Sequence, residues 1–124
     1  MRAVIAAAAG ALLVGGLLAS AAAPSLAHDH WINNSRAVSP IDGSHCCGEA
    51  DCAVVDADLV AALAGGGYAL RGPVTYGSGE GAVRQWLDET VPEAEVQASR
   101  DGQYWRCRRP DGARRCFFAP PPSM

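Results

Sequence analysis

Hydrophobic positions in this chain fall into one long run at the start and short, turn-bounded runs thereafter. The long run, Ala3 to Ala23, follows Met1 and Arg2 and ends at Pro24. Ser25-Leu26-Ala27 then places small residues at the two positions a signal peptidase reads. This predicts a signal peptide over residues 1–27 and a processed chain beginning His28-Asp29-His30. A run of this length also suits an uncleaved membrane span, but its alanine-glycine composition and the cleavage triplet favour removal. No cysteine follows the run to take a lipid, and no twin arginine precedes it, so the general export route is expected.

After the signal the periodicity is that of a small α+β or mainly β domain. Residues 28–44 show no clear period and hold Asn33-Asn34-Ser35, Ser39-Pro40 and Asp42-Gly43. They read as an extended arm. Ala53-Val54-Val55 predicts a short strand. Asp56 or Asp58 is placed to cap a two-turn helix through Ala64, with Leu59 and Leu63 on one face. Gly65-Gly66-Gly67 would end it. Tyr68 to Leu70 and Val74 to Tyr76 read as strands around a Gly72-Pro73 turn, and residues 77–81 as a flexible loop. Ala82 to Leu87 is a weaker strand with Arg84 and Trp86 on one face and Val83, Gln85 and Leu87 on the other. After Pro92, Glu93 to Ala98 fits either a helical turn or an edge strand. Residues 119–124 read as a polyproline-like tail.

The C-terminal hairpin carries the firmest local pattern. Gln103 to Arg109 and Arg114 to Phe118 flank Pro110-Asp111-Gly112-Ala113. A three-residue loop with Gly112 left-handed suits the turn sequence and puts Cys107 and Cys116 on opposite faces. A two- or four-residue loop sets Cys107 opposite Cys116 and Trp105 opposite Phe118. That register gathers Trp105, Cys107, Cys116 and Phe118 on one face, and Tyr104, Arg106, Arg108, Arg115 and Phe117 on the other. Segregation of faces drives register, which favours the second arrangement.

Composition sharpens this picture at two points. Removal of 27 of the 124 residues leaves 97, a single domain with a small core. An exported domain of that size with five cysteines is expected to be stapled by disulfides over residues 45–118. Adjacent Cys46 and Cys47 would close a strained ring. Bridges from the first cluster to the hairpin close long loops and restrict the unfolded chain most. That favours Cys52 with Cys107, and Cys46 or Cys47 with Cys116. The local pair Cys107 with Cys116 competes. Charge is lopsided: residues 28–99 carry eleven acids and three arginines, and residues 100–124 six arginines and two aspartates. The basic end either reads an anion or pairs with the acidic remainder.

Three groups of residues resemble an uncharacterised family of small exported bacterial proteins. They are His28-Asp29-His30-Trp31-Ile32-Asn33-Asn34, His45-Cys46-Cys47-Gly48 with Asp51-Cys52, and Tyr104-Trp105-Arg106-Cys107 with Arg115-Cys116-Phe117-Phe118-Ala119-Pro120-Pro121. The resemblance spans nearly the whole processed chain. It implies export and a shared fold, and carries over no catalytic residues.

Candidate chemistry is correspondingly sparse. His45, Cys46, Cys47 and Cys52 are residue types that suit zinc or cuprous copper, but their spacing matches no common zinc pattern. A processed terminus with histidine third offers cupric copper or nickel a square plane of amine, two backbone amides and the His30 imidazole. Alternatively His28 chelates through its own amine and ring as part of a copper brace. The plainer reading is a solvated arm with two idle histidines. The Arg106, Arg108, Arg115 and Tyr104 face suits phosphates, sulfates or carboxylates. Trp31, Trp86 and Trp105 are expected in the core. Ser44-His45-Cys46 sets a nucleophile beside a histidine, yet chain neighbours rarely face each other as nucleophile and base. The expectation is therefore a non-enzymatic binding or structural module of the bacterial envelope, periplasmic or secreted. Its partner would be an anionic envelope polymer or an acidic protein, with nucleic acid not expected and no membrane span after cleavage. The alternative is a periplasmic copper or nickel binder using His28 and His30.

Overall fold

The computed structural model describes residues 30–46 and 50–122. The expected signal peptide, His28, Cys47 and the last two residues lie outside them. Among the described residues the protein is mainly β, with one helical turn, α1 (Trp31–Asn34), and seven strands. The strands are β1 (Cys52–Val55), β2 (Val60–Ala62), β3 (Tyr68–Tyr76), β4 (Val83–Val91), β5 (Val96–Ala98), β6 (Tyr104–Arg108) and β7 (Arg114–Ala119). They form a four-stranded sheet, ordered β1-β6-β7-β5, and a three-stranded meander, ordered β2-β3-β4. β5 runs parallel to β7, and every other pair is antiparallel.

Alternation within the strands builds the core between the sheets. Ala53 and Val55 of β1 and Phe117 and Ala119 of β7 meet Leu70, Val74 and Tyr76 of β3 and Leu87 and Val91 of β4. The opposite face of the four-stranded sheet carries Cys107, Cys116 and Phe118, and residues 31–46 cover it through Trp31, Ile32, Ala37 and Cys46. The segment expected as an extended arm is thus a third layer. Its anchor is Ile32, which is buried and whose N–H is capped by the His30 ring. A bridge between Val38 and His45 closes the segment on itself.

The hairpin adopts the segregating register, with Trp105 opposite Phe118 and Cys107 opposite Cys116. A bulge follows, because Arg108 pairs with Arg114 and leaves Arg115 as the extra residue. Cys52 stands opposite Cys107 on the neighbouring strand and is bonded to it. Cys46 is bonded to Cys116. These are the long-range pairs that loop closure favours, across separations of 55 and 70 residues. Each is expected to stabilise the fold by about 2–4 kcal/mol. The competing Cys107–Cys116 bridge does not form.

Three local expectations are overturned. The two-turn helix after Asp56 is instead a 3₁₀ turn, Ala57–Leu59, running into β2. Asp56 does cap it, accepting the Asp58 N–H. So short an alanine-rich stretch has little helical stability of its own, and pairing with β3 outweighs it. The glycines after it close a hairpin in which Gly67, at φ +82°, lies where any Cβ would strike the Val91 carbonyl.

The expected Gly72-Pro73 turn is the middle of one continuous strand. β2 pairs only with Tyr68, Ala69 and Leu70, so among the described residues that side of β3 has no ladder beyond Leu70 for the missing proline N–H to break. Gly72, at φ +135°, lets Leu59 pack directly on the backbone. The expected loop at 77–81 contains a 3₁₀ turn, Gly79–Gly81. The ambiguous segment after Pro92 is both alternatives in succession, a 3₁₀ turn (Glu93–Glu95) and then edge strand β5. Ala119, expected in the tail, is buried in β7.

Candidate functional site

The arginine face of the hairpin does not look outward. Arg106 is 2% exposed and sits between the sheets. Its Nε pairs with Glu89, its Nη1 donates to the Tyr76 hydroxyl at 2.7 Å, and its Nη2 donates to the Gly112 carbonyl at 3.1 Å. Arg114 closes the same network, reaching Glu89 at 2.9 Å and Glu95 on its other side. Gln85 supports it by donating to the Gly112 carbonyl at 2.9 Å. Burial alone would lower the Arg106 pKa, but the Glu89 hydrogen bond and the Tyr76 contact raise it instead. Burial raises the Tyr76 pKa, although Arg106 opposes the shift.

The proposed anion surface is corrected accordingly. Arg106 is consumed by an internal ion pair, and Tyr104 is packed against Tyr68 and Phe117. Arg108 lies 5.4 Å from the centre of the Tyr76 ring, and Arg115 is displaced by the bulge. Arg109 likewise pairs with Asp42, at 2.6 Å. These contacts realise the alternative in which the basic end pairs with the acidic remainder. The pattern of the sequence pointed at the correct face of the hairpin but not at its cover, since three-stranded pairing was not visible there.

On the far side of the four-stranded sheet, aromatic rings surround His30. Its ring meets the edge of Trp105 at 4.1 Å, while Trp31 stands edge-on to Phe118 at 5.0 Å. Asp101 accepts the Trp105 indole N–H and the Ser99 hydroxyl. Burial pushes the Asp101 carboxyl up, but the bonds from Ser99, the Gln103 N–H and the Trp105 indole hold its pKa below the ordinary range. Burial lowers the His30 pKa more than Asp101 raises it. His30 Nδ1 accepts the Ile32 N–H at 3.2 Å. A copper or nickel chelate closing on the terminal backbone would draw on that same nitrogen, so binding there has to break the cap of α1. Cys46 and Cys52 are in disulfides, and among the described residues no three His, Cys, Asp or Glu side chains gather as a metal site.

In Ser44-His45-Cys46 the cysteine is held in a bridge and the Ser44 hydroxyl donates to Asp42 at 2.6 Å. A cleft of about 480 Å³ lies between the β2–β3 turn, β5 and Pro120–Pro122, and is lined mostly by apolar groups.

The surface that stands out is the outer face of the three-stranded sheet. Alternation on β4 turns Arg84, Trp86, Asp88 and Thr90 away from the core, while Leu87 and Val91 are buried. On β3 it turns Arg71 and Thr75 outward. Register brings these together: Pro73 stands opposite Trp86, Thr75 opposite Arg84, and Arg71 opposite Asp88. Trp86 is 65% exposed, which corrects its expected place in the core. Trp31 and Trp105, by contrast, are half-buried in the aromatic layer. A tryptophan left this open on a rigid sheet is unusual, because its apolar surface is the largest of any side chain and gains most from being covered. The pairing of Arg84 and Trp86 on one face was legible in the sequence. Their neighbours Arg71, Pro73 and Thr75 were not, because the turn expected at Gly72-Pro73 would have broken the strand that presents them.

Compared with protein-family models, curated proteins and solved structures, the chain matches none. No helix among the described residues is long and apolar enough to cross a membrane.

Proposed function

We propose that this protein is an exported, non-enzymatic binding module of the bacterial envelope, whose ligand is an anionic polysaccharide held on the outer face of the three-stranded sheet. The observation that carries the reading is Trp86, open to solvent at the middle of that face. An indole on a flat strand surface stacks on the apolar face of a sugar ring without requiring a pocket. Arg84 and Arg71 flank it diagonally across the register and supply forks for carboxylate or sulfate groups. Thr75 adds a hydroxyl beside them. An extended polymer matches a flat face better than a small ligand does, since a small ligand needs concavity to bury its surface. Two disulfides and a leader-like start support export to an oxidising compartment.

The test is retention of the processed, disulfide-intact protein on acidic polysaccharide beads as salt is raised. Salt-sensitive retention that falls when Arg84 and Arg71 are both changed to Gln supports the reading. Retention that is absent at low salt, or unchanged in the double variant, overturns it.

A further inference from the structure

β4 is the last strand of its sheet, and among the described residues no strand pairs with its outer edge. Two observations establish which of its backbone groups face that edge. Arg114 Nη1 donates to the Thr90 carbonyl at 3.5 Å, so that carbonyl is turned away from β3. Pro73, which lacks an N–H, stands opposite Trp86, where an antiparallel pair exchanging no hydrogen bonds accommodates it. N–H and C=O of one residue point the same way in such a ladder, and the direction alternates. The outward-facing groups are therefore those of Arg84, Trp86, Asp88 and Thr90, whose side chains all lie on the outer face.

The order of charges along this edge is self-complementary. Arg84 and Asp88 flank Trp86 at two residues on either side. We propose that β4 pairs antiparallel with β4 of a second copy, about a two-fold axis at Trp86. In that register the two Trp86 side chains are opposite one another, and each Arg84 stands opposite the other copy's Asp88. Sliding by two residues in one direction sets Trp86 against Arg84. Sliding in the other sets Trp86 against Asp88. Either shift breaks both charge pairs. Charges on an edge strand ordinarily discourage indiscriminate pairing; here their arrangement also selects one partner and one register. The interface is isologous, so it closes as a dimer rather than growing into a filament.

Pairing of this kind joins the two meanders into one six-stranded sheet with two indoles at its centre. Their outer ring faces remain on the open surface, and each Arg84 is shared between the other copy's Asp88 and the ligand through the five donors of its guanidinium, so the dimer sets two stacking sites side by side and adds avidity for a repeating ligand. The inference does not rest on that ligand, because self-association is measured with no polymer present.

Sedimentation equilibrium of the processed, disulfide-intact protein is the experiment. The wild type is expected to form a concentration-dependent dimer. Arg84→Glu and Asp88→Arg each place like charges opposite one another twice, and each is expected to weaken the dimer about tenfold or more. An equimolar mixture of the two variants brings opposite charges together at both positions and is expected to regain near wild-type affinity. Hydrogen exchange supplies a readout free of mutation: the amides of Arg84, Trp86 and Asp88 should gain protection as wild-type concentration rises. A wild type that stays monomeric, variants that dimerise as tightly as the wild type, a mixture that recovers nothing, or amide protection indifferent to concentration would overturn the proposal.

Discussion

The two sheets share one core, yet they are finished differently. The four-stranded sheet is covered on both faces, by the three-stranded meander on one and by residues 31–46 on the other. Both disulfides belong to it, and its tryptophan, Trp105, is half-buried and hydrogen-bonded. Among the described residues the three-stranded sheet is covered on one face only. It has no bridge, and its tryptophan, Trp86, faces solvent. In a chain this short, apolar surface is scarce, and a fold that leaves Trp86 outside forgoes burial worth about 2 kcal/mol or more. On the proposed reading, one sheet holds the fold and the other presents a surface.

Removing the staples should break this division most severely. Loss of both bridges is expected to cost about 4–8 kcal/mol, comparable to the whole stability of a small domain. Reductant should therefore abolish the cooperative thermal transition. Non-reducing digestion should return the peptides joining Cys46 to Cys116 and Cys52 to Cys107, whereas five free thiols in a protein that still melts cooperatively would remove the covalent half of the contrast. Next in size is the joint between the sheets. Arg106→Met leaves Glu89 and the Tyr76 hydroxyl short of a partner, and about 3 kcal/mol should be lost in chemical denaturation. Replacing Glu89 by Leu in the same chain should recover part of it.

Smaller effects sharpen the contrast on the aromatic side. Trp105→Ala should cost about 2 kcal/mol, below the range for a fully buried tryptophan because the ring is only half-covered. The smallest effect concerns His30. Its folded pKa is lowered, so the folded protein takes up this proton less readily than the unfolded chain does. The stability linked to the neutral ring is then complete above about pH 6.5 and declines as pH falls below it. The difference in stability between wild type and His30→Gln, followed from pH 8 to pH 5 by denaturant titration, isolates this slope. A difference constant with pH would contradict it.

Much of the covalent and hairpin architecture was legible in the residues themselves. Loop closure favoured Cys52 with Cys107 and left Cys46 and Cys47 as alternatives for Cys116, and the segregation of Trp105, Cys107, Cys116 and Phe118 favoured the register. Alternation also put Arg84 beside Trp86. What escaped was everything that depends on a neighbour distant in sequence. Val60 to Ala62 reads as helix until β3 is there to pair with it, and Gly72-Pro73 reads as a turn until Leu59 is seen packed on the glycine. Arg106 reads as surface because an arginine on a hairpin usually is; the acids of its network, Glu89 on the three-stranded sheet and, through Arg114, Glu95 in the turn before β5, come from a different part of the chain. Trp86 reads as core because tryptophan usually is, and nothing local to residues 82–87 shows that the sheet beneath it is already full.

The claim that the open sheet is the working surface turns on Trp86. The most direct measurement is a binding titration of Trp86→Ala with soluble acidic polysaccharide, run beside its thermal melt. The expected result is a stability within about 0.5 kcal/mol of wild type, as for other exposed sites, together with loss of most of the affinity. Unchanged affinity, or a melt that collapses with the substitution, would contradict the account and return Trp86 to the fold.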